Sequence, residues 1–120
     1  MKRRTSLALL GTAAAAACGE PDRRARVPLS NLPAGGRVVI EHAGEAIELQ
    51  RTVAGVVARS LTCSHYGCRV EWQPDRRLYV CACHQGMFDP EGHPFSGPPT
   101  RPLRSIAVVQ SGDAVLVGEP

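Results

Sequence analysis

The sequence is poor in aromatic side chains and, beyond its first few residues, in net charge. Five aromatics in 120 residues (Tyr66, Trp72, Tyr79, Phe88 and Phe95) make a thin core. A thin core in a short chain asks for a staple, either a metal or a disulfide. Lys2, the one lysine, together with Arg3 and Arg4 accounts for the whole net charge of +3, because residues 18–120 set eleven Arg against eleven acids. A neutral body lacks the basic footprint of a nucleic-acid binder, so no nucleic-acid partner is expected. No apolar run reaches the roughly twenty residues of a membrane span. Helical periodicity does not persist for three turns, and neither an internal repeat nor a Gly-rich phosphate loop is present.

What the chain has begins with an address. Residues 1–4 are basic, residues 7–17 are small and apolar, and Glu20, Pro21, Asp22, Arg23 and Arg24 end the run. This is the pattern of a secretory signal peptide over 1–18; the alternative, a short buried helix, suits an Ala-rich segment flanked by charge poorly. Ala15-Ala16-Ala17-Cys18-Gly19 resembles a bacterial lipoprotein processing site, with Ala15 where Leu is usual, and makes Cys18 a candidate lipidation site. Arg3-Arg4 followed by Thr5, Ser6 and Leu7 is a loose twin-arginine signal without the usual aromatic. The mature protein is therefore expected in the periplasm or at the outer face of the bacterial cytoplasmic membrane, held there by lipid if Cys18 is acylated. Residues 19–34, rich in charge and small groups, read as a tether, and 35–120 as one domain.

From Arg37 onward the pattern is β. Val38-Val39-Ile40 forms a short run, Ala43-Gly44-Glu45 a turn, and Ile47 and Leu49 alternate with polar neighbours. Residues 53–61 read as the next strand. Near the end, 106–109 and 114–117 flank Ser111-Gly112-Asp113, a hairpin signal. Twelve Gly and ten Pro favour short strands joined by turns. The expected class is all-β.

Between these β regions lies a segment of about 62–100 with four of the five Cys and three of the four His. It carries Cys63-Ser64-His65-Tyr66-Gly67-Cys68 and, twelve residues on, Cys81-Ala82-Cys83-His84-Gln85-Gly86. Thiolates and imidazoles converging from two tight turns are what metal ligation requires. A zinc knot and a purely disulfide-stapled domain, with Cys63–Cys81 and Cys68–Cys83 bonds, are the two plainer alternatives. The second of these leaves both histidines unexplained.

The paired boxes C-x-H-x-G-C and C-x-C-H-x-G resemble the Rieske iron–sulfur proteins, in particular the disulfide-containing branch of cytochrome bc-type quinol oxidoreductases. The resemblance implies a small antiparallel β-sandwich with an inserted cluster-binding subdomain and one [2Fe–2S] cluster. It implies that Cys63 and Cys81 hold one iron and His65 and His84 the other, with a Cys68–Cys83 disulfide tying the loops. Gly97, Pro98 and Pro99 match the family loop that folds over the cluster. Two neutral imidazoles in place of thiolates raise the potential to about −150 to +300 mV, and the histidines couple electron to proton transfer. A cluster assembled in the cytoplasm and carried out in a folded protein gives Arg3-Arg4 a purpose.

Two positions depart from high-potential relatives. Gly86 stands where those carry a Ser, and Phe88 where they carry a Tyr, so two hydroxyl donors to cluster sulfur are gone and a potential low in the family range is expected. Tyr66 reads as a partner contact or as loop packing. His42 and His93 read as exposed loop residues, and Trp72 and Phe95 as core. The implied role is electron transfer with a quinol, a cytochrome or another redox protein. The chain is either the iron–sulfur subunit of a quinol-oxidising complex or a stand-alone exported carrier serving another redox enzyme, for example a molybdenum oxidase.

Overall fold

The computed structural model describes residues 21–64, 67–99 and 101–120. The signal-peptide reading and Cys18 lie outside the described residues, as do His65 and Tyr66. The order of elements is β1 (Ala25–Pro28), a 3-10 turn (Leu29–Asn31), β2 (Arg37–His42), β3 (Glu45–Thr52), β4 (Gly55–Ser60), β5 (Val70–Gln73), β6 (Leu78–Cys81), β7 (Met87–Phe88), β8 (Pro94–Ser96), β9 (Ser105–Ile106), β10 (Val108–Ser111) and β11 (Ala114–Val117). All strand pairings among the described residues are antiparallel, as expected of an all-β sandwich.

Two sheets face each other in the base, in the orders β9-β4-β3-β2 and β10-β11-β1. Val27, Leu32, Ile47, Leu49, Ala58, Val115 and Val117 fill the space between them. Each fully buried aliphatic side chain of this kind stabilises the fold by roughly 1.5–3 kcal/mol. Ala43 and Gly44, both at positive φ, make the tight turn between β2 and β3, which keeps Val38, Ile40, Ile47 and Leu49 in register toward that core.

Several sequence expectations shift. The tether expected over 19–34 is shorter, because Ala25–Pro28 pairs with β11 and both Val27 and Leu32 are buried. Val53 sits at the tip of the β3–β4 turn, not in a strand, and is fully exposed. The run 106–109 breaks at Ala107, where the chain passes from one sheet to the other. His42 ends β2 half-buried, with its ring against Gly118. Phe95 is 58% exposed, on β8, which is an edge strand of a small sheet.

The inserted segment builds its own sheet, β5-β6-β7-β8. The chain leaves the base after Ser60 and returns at Arg104, where the Ser60 N–H donates to the Arg104 carbonyl at 2.8 Å. Val70, Tyr79, Cys81 and Phe88 form a second core with Cys63, Leu61, Leu103 and Ala46. Strand β3 serves both cores: residues 46–49 are all buried, with Ile47 and Leu49 facing the sandwich and Ala46 facing the insert.

Candidate metal centre

The two Cys/His boxes fold into turns of one shape. In the first, the Cys63 N–H donates to the Cys68 carbonyl (2.6 Å) and the Gly67 N–H to the Cys63 carbonyl (3.0 Å). In the second, the Cys81 N–H donates to the Gly86 carbonyl (2.8 Å) and the Gln85 N–H to the Cys81 carbonyl (3.0 Å). Both turns need a left-handed residue at the fifth place. Gly67 supplies it without strain (φ +75°), whereas Gln85 adopts it (φ +60°) against its side chain's preference.

A disulfide joins Cys68 to Cys83 and so ties one turn to the other. Cys63 and Cys81 stay outside that bridge, both buried at the inner side of the turns. The fully stapled alternative needs a Cys63–Cys81 bond, which the structure does not make. His84 is exposed, at the outer end of its turn. Among the described residues the turns thus offer two inward sulfurs, one from each, and the outward imidazole of His84.

The third loop closes tightly over the second turn. A Cβ on Gly86 would lie 2.6 Å from Pro99 Cγ, and one on Gly97 would lie 2.8 Å from Gly86 Cα. Only glycine at both positions lets the two backbones come this close. Pro99 is buried by the contact, while Gly97 and Pro98 face outward. Arg101 then fastens this segment to the first turn: its guanidinium donates to the Ser64 carbonyl at 2.9 Å, and the Ser64 hydroxyl donates to the Arg101 carbonyl at 2.6 Å. Residue spacing gave no sign of this clasp.

Beneath the centre is a polar joint that the sequence analysis also missed. Glu48 is 3% exposed and accepts a hydrogen bond from Arg37 at 2.8 Å. Arg37 also donates to the Tyr79 hydroxyl at 2.8 Å, and that hydroxyl donates to Glu48. The Arg37 guanidinium lies 3.6 Å from the centroid of Trp72, whose ring packs 4.9 Å from Tyr79. Burial, and then the Glu48 carboxylate, push the Tyr79 hydroxyl up to about 12.

Residues 25–107 match the model of the Rieske [2Fe–2S] domain. The chain belongs to the Rieske family. A carotenoid phi-ring synthase of Chlorobaculum tepidum is 35% identical over 79% of this chain, which spans 15% of that protein. The cytochrome b6-f complex iron–sulfur subunit of Chlorobaculum thiosulfatiphilum is 26% identical over 75% of this chain and 50% of its own length. Among solved structures, the plasma membrane Rieske protein PetC3 of the cyanobacterium Synechocystis superposes with a TM-score of 0.64 at 27% identity, covering 78% of this chain and 96% of that one. The chain thus spans half or less of these two curated relatives.

The cofactor of this Rieske domain is one [2Fe–2S] cluster. The donors present fit it. Two buried sulfurs sit in an apolar pocket with Phe88, Val70 and Tyr79, an imidazole lies at the exposed end, and the disulfide and the proline loop hold the turns that carry them. The protein is accordingly a Rieske-type electron-transfer protein.

Proposed function

We propose that this Rieske protein is the iron–sulfur subunit of a quinol-oxidising, bc-type membrane complex. Cys63 and Cys81 would hold the inner iron of the cluster and His65 and His84 the outer one. The observation that carries the reading is the Cys68–Cys83 bridge between the two turns, the mark of the branch that the paired boxes resemble. When bound, the cluster takes up and gives back one electron at about −150 to +300 mV. The chain's own residues do the rest. The inward cysteines and Phe88 are buried and would exclude water from one side, and the exposed His84 ring would be the part that a quinol or a protein partner meets.

Phe88 is fully buried in the same core as Cys63 and Cys81, so no side-chain hydroxyl is donated from that position. This supports a potential low in the family range and a menaquinol-like donor. Phe88→Tyr is expected to raise the midpoint potential in voltammetry, and an unchanged or lower value removes the argument. On the same reading residues 1–18 hold a signal of twin-arginine type that is cut before Cys18, Cys18 is the lipidated first residue that holds the domain at the membrane's outer face, and 19–24 are a tether. Mass spectrometry of the mature N-terminus tests this.

A second reading, a stand-alone exported carrier, is favoured by one observation. The fold covers the whole of a ferredoxin chain of carbazole 1,9a-dioxygenase from Nocardioides aromaticivorans, with a TM-score of 0.58 at 27% identity. Purification under mild detergent separates the two. Stoichiometric b- and c-type haem carried with the protein supports the complex, and a haem-free protein with an iron–sulfur spectrum supports the carrier.

A further inference from the structure

We infer that Arg37 and Glu48, locked together through Tyr79 and Trp72, are positioning residues for the metal centre: they fix β6 on the base and bias the centre's potential through their opposite charges. The inference rests on the assignment of Cys81 as a ligand.

The geometry is that of a joint between two bodies. Arg37 and Glu48 belong to the base, on β2 and β3, where Glu48 pairs directly with Val39 and so lies diagonal to Arg37. Trp72 and Tyr79 belong to the insert and pair with each other across β5 and β6. Four contacts tie the group, each crossing from one body to the other or completing the base pair that receives it: Arg37 to Glu48, Arg37 to the Tyr79 hydroxyl, that hydroxyl to Glu48, and Arg37 over the Trp72 ring. The side chains of Arg37 and Glu48 are 18% and 3% exposed, so neither charge is well solvated.

The joint reaches the centre by one short step of strand. Tyr79 lies two residues before Cys81 on β6, which puts their Cα atoms about 7 Å apart on one face of the strand. Both belong to the core that also holds Cys63, Val70 and Phe88. Charges are felt far more strongly across such an apolar medium than across water. Reduction adds negative charge to the centre. A buried carboxylate therefore opposes reduction and a buried guanidinium favours it, and in the native pair the two biases offset each other.

The test uses the full-length holoprotein, with cluster content read from visible absorption and the midpoint potential from voltammetry. Glu48→Gln keeps an acceptor for Arg37 and Tyr79 but removes the negative charge, and is expected to raise the potential. Arg37→Gln is expected to lower it at neutral pH, and the double variant is expected to return toward wild type. Arg37→Lys keeps the charge while losing the flat stack on Trp72, so its potential should stay near wild type while its melting temperature falls. A purely structural joint moves both single variants the same way. Shifts of one sign, or none, in cluster-loaded Glu48→Gln and Arg37→Gln overturn the inference. If neither single variant loads, a displaced potential in Arg37→Lys overturns it and an unchanged one upholds it. Cys81→Ser serves as the separate control: an unaltered cluster spectrum there defeats the ligand assignment, whatever the charge variants do.

Discussion

The family resemblance sets Gly86 where relatives of high potential carry Ser, so that Gly86→Ser looks like a simple gain of a hydroxyl. The packing says otherwise. An added Cβ falls 2.6 and 2.7 Å from two ring carbons of Pro99, and the glycine opposite, Gly97, already presses on the same backbone. Pro99 is a ring fixed in a closed loop and yields less readily than the end of a flexible side chain. Overpacking of this kind destabilises by about 1–3 kcal/mol. For a domain of roughly 100 residues, that lowers the melting temperature by about 4–8 °C per kcal/mol, or on the order of 5–20 °C. Gly86→Ala isolates the steric part, since it adds the Cβ without the hydroxyl. Gly86→Ser adds a donor whose bond to a charged sulfur is worth about 1.5 kcal/mol at the low end, or on the order of 60 mV for one electron. Both variants should bleach earlier when cluster absorption is followed on heating, and only the serine should raise the potential in voltammetry. Combining either with Pro99→Ala should destabilise by less than the sum of the single changes. Gly86→Ala bleaching at the wild-type temperature refutes the argument, because Pro99 then does not constrain the position.

Three further outcomes are expected. The Cys68–Cys83 bridge closes a span of 15 residues, worth about 3 kcal/mol in chain entropy, so Cys68→Ser/Cys83→Ser should unfold at clearly lower denaturant concentration; an unchanged midpoint would show that the bridge constrains nothing. Arg101→Ala removes the donor to the Ser64 carbonyl and should release iron to a chelator several-fold faster than wild type, since a hydrogen bond of this kind is worth about 1 kcal/mol. An equal release rate argues that the clasp is idle. The Ser60 hydroxyl, and after it Arg104, hold the Glu45 carboxyl below its ordinary value near 4.5. The folded value is below the unfolded one, so the stabilisation is present above about pH 4.5 and is lost as pH falls through the folded value. Glu45→Gln should therefore melt earlier at pH 7 yet lose less stability between about pH 5 and 3, and parallel pH profiles would sink this account.

What could be read from the sequence follows from how far apart the partners lie along the chain. The β2–β3 and β10–β11 hairpins are legible because alternation and turn residues sit within a dozen positions of one another. The two Cys/His turns are legible because their cysteines and histidines cluster within six residues each. Strand β1 is not: four residues in a polar stretch become a strand only by pairing with β11, at the other end of the chain. The Arg101–Ser64 clasp spans 37 residues, and the Arg37–Tyr79 bond spans 42. No local pattern announces either. Phe95 shows the converse error, for an aromatic in a β-rich segment suggests core, whereas only the sheet order reveals that its strand is an edge.

Glu48 is the more instructive case, because its local signal was present and pointed the wrong way. Ile47 and Leu49 alternate with polar neighbours, which ordinarily marks one buried and one wet face. An insertion whose ends return to the same edge of the base can fold back over that wet face, and here it does, leaving four consecutive positions of β3 buried. An acid caught on such a face must find a cation, since an unpaired buried charge is strongly destabilising. The diagonal neighbour on the adjacent strand of the hairpin is within reach, and Arg37 occupies it. The aromatic pair of the insert then covers the guanidinium. An acid beside apolar residues in a base strand, an arginine diagonal to it, and a directly paired Trp and Tyr in the inserted sheet thus form a pattern of their own. It marks the seam where the insert packs on the base, two residues from Cys81.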